Sequence, residues 1–233
     1  KKGLGSTLAA LIVTSGGGSV GQYGPLVHFG STIGLALKSY LRLRISPDIF
    51  IGCGVAAAIS AGFNAPLAGV LFAHEAILRH FSLRAIAPIF VASISASAFS
   101  EFFYGPSPNI INLSQVVPPL DNIFPMLIAL GPIFAIIAVI FMYSLRMAST
   151  FAAKSGRYKP LLPFFAAVTC GSVGVVFPEI LGLGIETINE LIGGNISFGK
   201  IGALLIAKIS MTALCIGFGL FGGVFSPALF IGV

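Results

Sequence analysis

Long apolar stretches, separated by short breaks rich in glycine, proline or polar residues, run through the whole chain. Ile123–Leu145 (IFPMLIALGPIFAIIAVIFMYSL) and Leu161–Phe177 (LLPFFAAVTCGSVGVVF) have the size of a bilayer span or come close to it, a span needing about 20 residues. The pattern predicts helices over 4–15, 25–42, 47–61, 66–80, 84–103, 120–150, 160–177, 185–193, 199–219 and from 227 onward. Several are short for a crossing. The breaks fall at GQYGP, at FNAPLAG (Phe63–Gly69) and at GGVFSP. Short, Gly/Pro-interrupted apolar segments are the trace of discontinuous membrane helices. Irregular backbone at membrane depth is tolerated only where it lines a cavity or is packed in protein, so the breaks are the first places to look for function.

Composition agrees with the pattern. Of 233 residues, 56% are hydrophobic and only 9% charged, against about 25% charged in soluble domains. The fold class is therefore an all-α, multi-pass integral membrane protein. A β-barrel would alternate in short segments instead. No cleavable signal is recognisable at KKGLGSTLAA, and the chain stops at FIGV inside an expected helix, which reads as part of a longer protein.

The net charge of +6 does not indicate nucleic acid. Basic clusters occur at Lys1-Lys2, Lys38/Arg42/Arg44, Arg79/Arg84 and Arg146/Lys154/Arg157/Lys159, each separated from the next by two apolar segments. The acids Glu101, Asp121, Glu179, Glu186 and Glu190 fall in the intervening loops. That is the positive-inside pattern, with the bases on the cytoplasmic face. Lys200 and Lys208 stand outside it. Cys53, Cys170 and Cys215 are scattered without metal-type spacing and read as small core residues. No metal and no cofactor is expected.

The break GQYGPLVHFG (Gly21–Gly30) aligns with GVFSPALFIG (Gly223–Gly232), and Gly17 has a counterpart at Gly219. Both copies place Pro where a helix starts, so helices are expected to begin at Pro25 and Pro227. The first N–H groups of a helix lack intrahelical acceptors and carry the positive end of its dipole. Two such ends together make an anion cradle without a lysine or arginine. Conduction favours such a site, because an ion must leave as readily as it enters. The expected anion-binding residues are Gly21, Gln22, Tyr23, Gly24, Gly223, Val224, Phe225 and Ser226. Gly16-x-Gly18-x-x-Gly21 also matches a dinucleotide fingerprint, but lacks the βαβ context and the following acid. Ser19 and His28 do not suggest a catalytic dyad, and no enzyme is expected.

These residues resemble a known family. GQYGP is similar to the G-[KR]-E-G-P signature of CLC chloride channels and chloride/proton exchangers, and GGVFSP to their G-G-[IV]-F-x-P. AAAISAGFNAPLAGVLFAHE (Ala56–Glu75) and FPEILGLGIETI (Phe177–Ile188) resemble two further stretches of the family. The resemblance implies an inverted-repeat fold with broken, re-entrant helices. Residues 1–104 would belong to the first repeat, 105–119 to an inter-repeat loop and 120–233 to the second. It also implies a homodimer in the lipid bilayer with one anion pathway per subunit, chloride as the transported ion, and residence in a bacterial plasma membrane.

Two departures matter. The family's gating glutamate aligns with Tyr23, and the exchangers' inner proton-transfer glutamate aligns with Ala76, next to Glu75. A tyrosine, with an ordinary pKa near 10, is neutral at working pH and offers no carboxylate to compete with chloride. The expected function is passive, uncoupled anion conduction, with Tyr23 as gate. The alternatives are a chloride/proton antiporter using Glu75 as a relocated proton relay, or a transporter of another anion such as nitrate or fluoride. Glu75 and Arg79 are expected to pair at i, i+4.

Overall fold

A computed structural model describes residues 2–42, 45–105, 120–192 and 197–233, without side-chain detail at 2, 120–123, 192 and 198. It is built of helices: α1 (Lys2–Ser15), α2 (Tyr23–Leu41), α3 (Pro47–Phe63), α4 (Pro66–Phe72), α5 (Leu83–Tyr104), α6 (Leu120–Lys154), α7 (Leu162–Val176), α8 (Ile185–Ile192), α9 (Phe198–Gly217) and α10 (Phe225–Gly232). Among the described residues, four segments are long and apolar enough to cross a membrane: Leu83–Tyr104, Phe124–Lys154, Gly156–Val176 and Gly199–Gly217. Large apolar side chains stay exposed along α6, among them Ile128, Phe134, Ile136 and Ile140. In an integral membrane protein such a face meets lipid. The inter-repeat loop expected at 105–119 lies, apart from Gly105, outside the described residues.

Two compact units emerge. One comprises Lys1–Ile12 and Gln22–Pro108. Its core is Val55, Ala56, Val70, Ala73, Ala85 and Ile89. Helices α2 and α3 cross here at backbone contact. A methyl group on Gly30 would stand 2.2 Å from the Gly54 carbonyl oxygen, and one on Gly54 would stand 2.0 Å from that of Gly30. Small residues permit such close crossings in membranes. The break at Phe63–Gly69 is real: Asn64 ends α3 with φ 50°, and Pro66 opens α4. Serines of α5 hold it. Ser97 donates to Asn64 Oδ1. Ser93 donates to the Pro66 carbonyl at 2.7 Å, and Ser60 donates to the Ser93 carbonyl at 2.6 Å.

After α4 the chain runs into a π-helix, Ala73–Leu78, which Arg79 closes with φ 58°. Among the described residues no Glu75–Arg79 ion pair forms, contrary to expectation; Lys200–Glu179 does pair. Arg79 ends the π-helix in the left-handed region, so it does not continue the helical face that carries Glu75.

The other unit comprises Val13–Gly21 and Asn109–Val233. One cluster, Ile180, Ile188, Leu204 and Phe230, binds the Pro178–Ile185 region to α8, α9 and α10. A second joins Val20 to Cys170 and Cys215.

Candidate functional site

The two aligned breaks have the same backbone. α1 ends with Gly17 N–H donating to the Thr14 carbonyl and Gly18 N–H to that of Val13, at 3.1 and 2.9 Å. α9 ends with Gly219 N–H donating to Ile216 and Leu220 N–H to Cys215, again at 3.1 and 2.9 Å. This pairing is the Schellman cap, whose left-handed position favours glycine. Gly17 and Gly219 occupy it, with φ of 82° and 95°. The next helices also begin alike. Gln22 (φ −86°, ψ −17°) and Val224 (φ −90°, ψ −10°) precede them, and their carbonyls accept from Leu26 and Ala228 N–H at 3.1 and 2.9 Å.

Both helices therefore start two residues earlier than expected, at Tyr23 and Phe225 rather than at Pro25 and Pro227. The reason is local. Proline lacks an N–H at any position of the first turn, where none is needed, so it fits the third helical position as well as the first.

Within the second unit the copies meet. Gly21 and Gly223, equivalent positions of the repeat, form an antiparallel bridge. Gly21 N–H donates to the Gly223 carbonyl at 2.7 Å, and Gly223 N–H donates back at 2.6 Å. The bridge places Gly21 against the opening of α10. A methyl on Gly21 would stand 3.0 Å from Ser226 Oγ and 3.1 Å from Ser226 N. Ser226 is only 4% exposed, and its hydroxyl is buried without a hydrogen-bond partner. A buried hydroxyl left unpaired is costly, and an unexplained one points to a ligand or water.

The remaining expected residues are placed as follows. Gln22 and Gly24 are partly buried at the start of α2, while Val224 and Phe225 are exposed at the start of α10. Tyr23 is 8% exposed. Its ring stacks on Phe63 with centroids 3.9 Å apart, and a methyl group on Gly62 would stand 3.1 Å from the ring. Glu75 and Ala76 are exposed on the π-helix. His28 is exposed, and the buried Ser19 hydroxyl hydrogen-bonds with that of Thr212 at 3.2 Å. No cluster of three or more metal-ligating side chains occurs among the described residues.

One residue that sequence reasoning left aside turns out to be central to the second unit. Lys208 on α9 is fully buried. Its ammonium donates to the carbonyls of Ile180 and Gly182 at 2.8 and 3.0 Å and lies 4.8 Å from the Phe230 ring centroid. It ties the loop after α7 to both α9 and α10. The signal was a lone charge inside an apolar run of spanning length, which in a membrane marks function or an internal partner. On the same loop, Lys200 beside Glu179 holds that carboxyl below the usual carboxylate range.

Comparison with known proteins places this architecture. The family profile described as "Voltage gated chloride channel" matches residues 1–233. The chain belongs to the voltage-gated chloride channel family. Members similar to it include the H(+)/Cl(-) exchange transporter ClcA of Citrobacter koseri, 33% identical over 228 residues, covering 94% of this chain and 48% of the relative. The ClcA of Yersinia pestis is 32% identical over 229 residues, with the same coverage of 94% and 48%. The chain thus spans about half the length of these family members. A crystal structure of a CLC-type fluoride/proton antiporter superposes with TM-score 0.79 at 25% identity, covering 93% of this chain and 54% of that one. The fold is shared with a slow cyanobacterial Cl-/H+ antiporter, TM-score 0.82 at 24% identity, covering 94% and 52%.

Proposed function

We propose that the protein moves halide, chloride first, across a bacterial plasma membrane, and that it does so as a passive conductor rather than an enzyme or a proton-coupled pump. The observation that carries the reading is the Gly21–Gly223 bridge at the opening of α10, beside the buried Ser226 hydroxyl, which has no hydrogen-bond partner. The anion sits against the first-turn amides of α10, where the Ser226 amide and the Ser226 O–H donate to it. None of the donors is a full positive charge, so the ion is held by dipoles and released without breaking an ion pair. No cofactor takes part.

Tyr23, at the start of α2, is the gate. Its neutral phenol offers no carboxylate to take up a proton, so gating is a displacement of the ring from its stack on Phe63 and not a proton exchange. Tyr23 and Ala76 offer no carboxylate at the two positions where the family's exchangers carry one, and this removes the relay for protons. The matched backbone of the two breaks supports an inverted repeat, with one repeat on each side of the inter-repeat segment. As in relatives of this family, a homodimer with one pathway per subunit is the assembly we expect.

A second reading is proton-coupled exchange through Glu75, favoured by the relatives' named exchange activity and by that carboxylate's exposure. The reversal potential of the reconstituted protein under a proton gradient decides. Passive conduction keeps it at the chloride equilibrium value; a shift with pH establishes exchange. Replacing chloride by fluoride or nitrate in the same recording ranks the anions.

A further inference from the structure

Two thiols distant in the chain meet inside the second unit. Cys170 lies on α7 and Cys215 on α9, 1% and 0% exposed, in one buried cluster with Val20. Val20, packed with both thiols in that cluster, is the residue before Gly21. On the other side, the Cys215 carbonyl accepts from Leu220 N–H, three residues before Gly223. Between them Val20 packs on Gly222: a methyl there would stand 2.4 Å from Val20 Cβ. The dithiol therefore underlies both strands of the Gly21–Gly223 bridge. Cys53, on α3 in the other unit, belongs to a different core.

We propose that Cys170 and Cys215 are an oxidisable pair whose reversible disulfide distorts the Gly21–Gly223 bridge. The oxidant class is a small uncharged peroxide, which can enter an apolar interior. One sulfur attacks a peroxide oxygen, giving a sulfenic acid and one water. The second sulfur attacks the sulfenic sulfur and releases a second water. The pair loses two electrons and two hydrogens, and hydrogen peroxide is reduced to two waters. An added dithiol reverses the step by exchange. Closing two packed sulfurs to a bond of about 2 Å pulls α7 and α9 together under the bridge.

The test treats the intact protein in liposomes with hydrogen peroxide over minutes to hours, the range of disulfide formation. Free thiols are then alkylated, peptides mapped and chloride flux recorded. The expected result is a loss of about 2 Da, a Cys170–Cys215 linked peptide and an alkylated Cys53. Flux falls on the order of tenfold, as for about 1.4 kcal/mol lost at the ion, and dithiothreitol restores it. C170S and C215S each abolish the response, with C215A as a second variant should either fail to fold. Absence of the linked peptide overturns the pair. A linked peptide with unchanged flux, or a response that survives in C170S and C215S, overturns the coupling. The flux readout rests on the anion reading above; the linked peptide does not. If the reduced protein conducts no anion, coupling is read from amide hydrogen exchange at Gly21 and Gly223, and exchange unaltered by oxidation refutes it.

Discussion

Gly21→Ala tests the bridge where it touches the proposed ion. The added methyl stands 3.0 Å from the Gly223 carbonyl oxygen, 3.0 Å from Ser226 Oγ and 3.1 Å from Ser226 N. Gly21 is not among the residues with positive φ, so its backbone accepts alanine and the cost is steric. Overpacking of this kind costs about 1–3 kcal/mol, which leaves a folded protein. The methyl also covers the amide and hydroxyl of Ser226, the donors assigned to the anion. Each hydrogen bond to a charged group contributes about 1.5–3 kcal/mol, so losing one weakens the site roughly 10- to 100-fold. The assay is chloride efflux from liposomes, with thermal unfolding in detergent to follow stability. Gly131→Ala is the control, since a methyl there meets nothing within 4 Å. Efflux by Gly21→Ala within about twofold of the wild type, with the fold intact, would refute the placement of the ion at this bridge.

Two further outcomes are expected. Lys208→Met leaves the buried carbonyls of Ile180 and Gly182 without their shared donor, at about 1–3 kcal/mol per unsatisfied group. Relief of ammonium desolvation offsets part of this. The net result is a lower unfolding temperature, and a melt at or above the wild type would show that Lys208 is no tether. Glu179 supplies a pH dependence. Its pKa is depressed by Lys200, so its stabilising contribution is complete above the unfolded value of about 4.3. It fades as the pH falls below that value through the folded pKa. Melts from neutral to acid pH should show wild type and Glu179→Gln converging as the pH falls. Curves that stay parallel would remove the ion pair from the account.

Much of this architecture was legible because it is written in local chemistry. Pro25, Pro66 and Pro227 mark helix openings, Gly17 and Gly219 mark helix ends, and the apolar runs mark spans. The helix starts were misplaced by two residues because proline fits more than one position of a first turn. The π-helix at Ala73–Leu78 leaves no pattern that a helical period distinguishes. Sequence alignment paired Gly21 with Gly223 as repeats, but their mutual hydrogen bonds are tertiary. The same holds for Tyr23 on Phe63 and for Cys170 against Cys215, whose separation in the chain resembles no motif. Lys208 carried a signal, a charge within an apolar run, yet its two carbonyl partners lie in a loop that the sequence does not bring near it.

The account turns on backbone amides and one serine hydroxyl holding an anion at the opening of α10. Crystals of the intact protein soaked in bromide test this directly by anomalous scattering. The account predicts a bromide peak at hydrogen-bond distance from the Ser226 hydroxyl, beside the Gly21–Gly223 bridge. Well-ordered density there with no anomalous peak would contradict it.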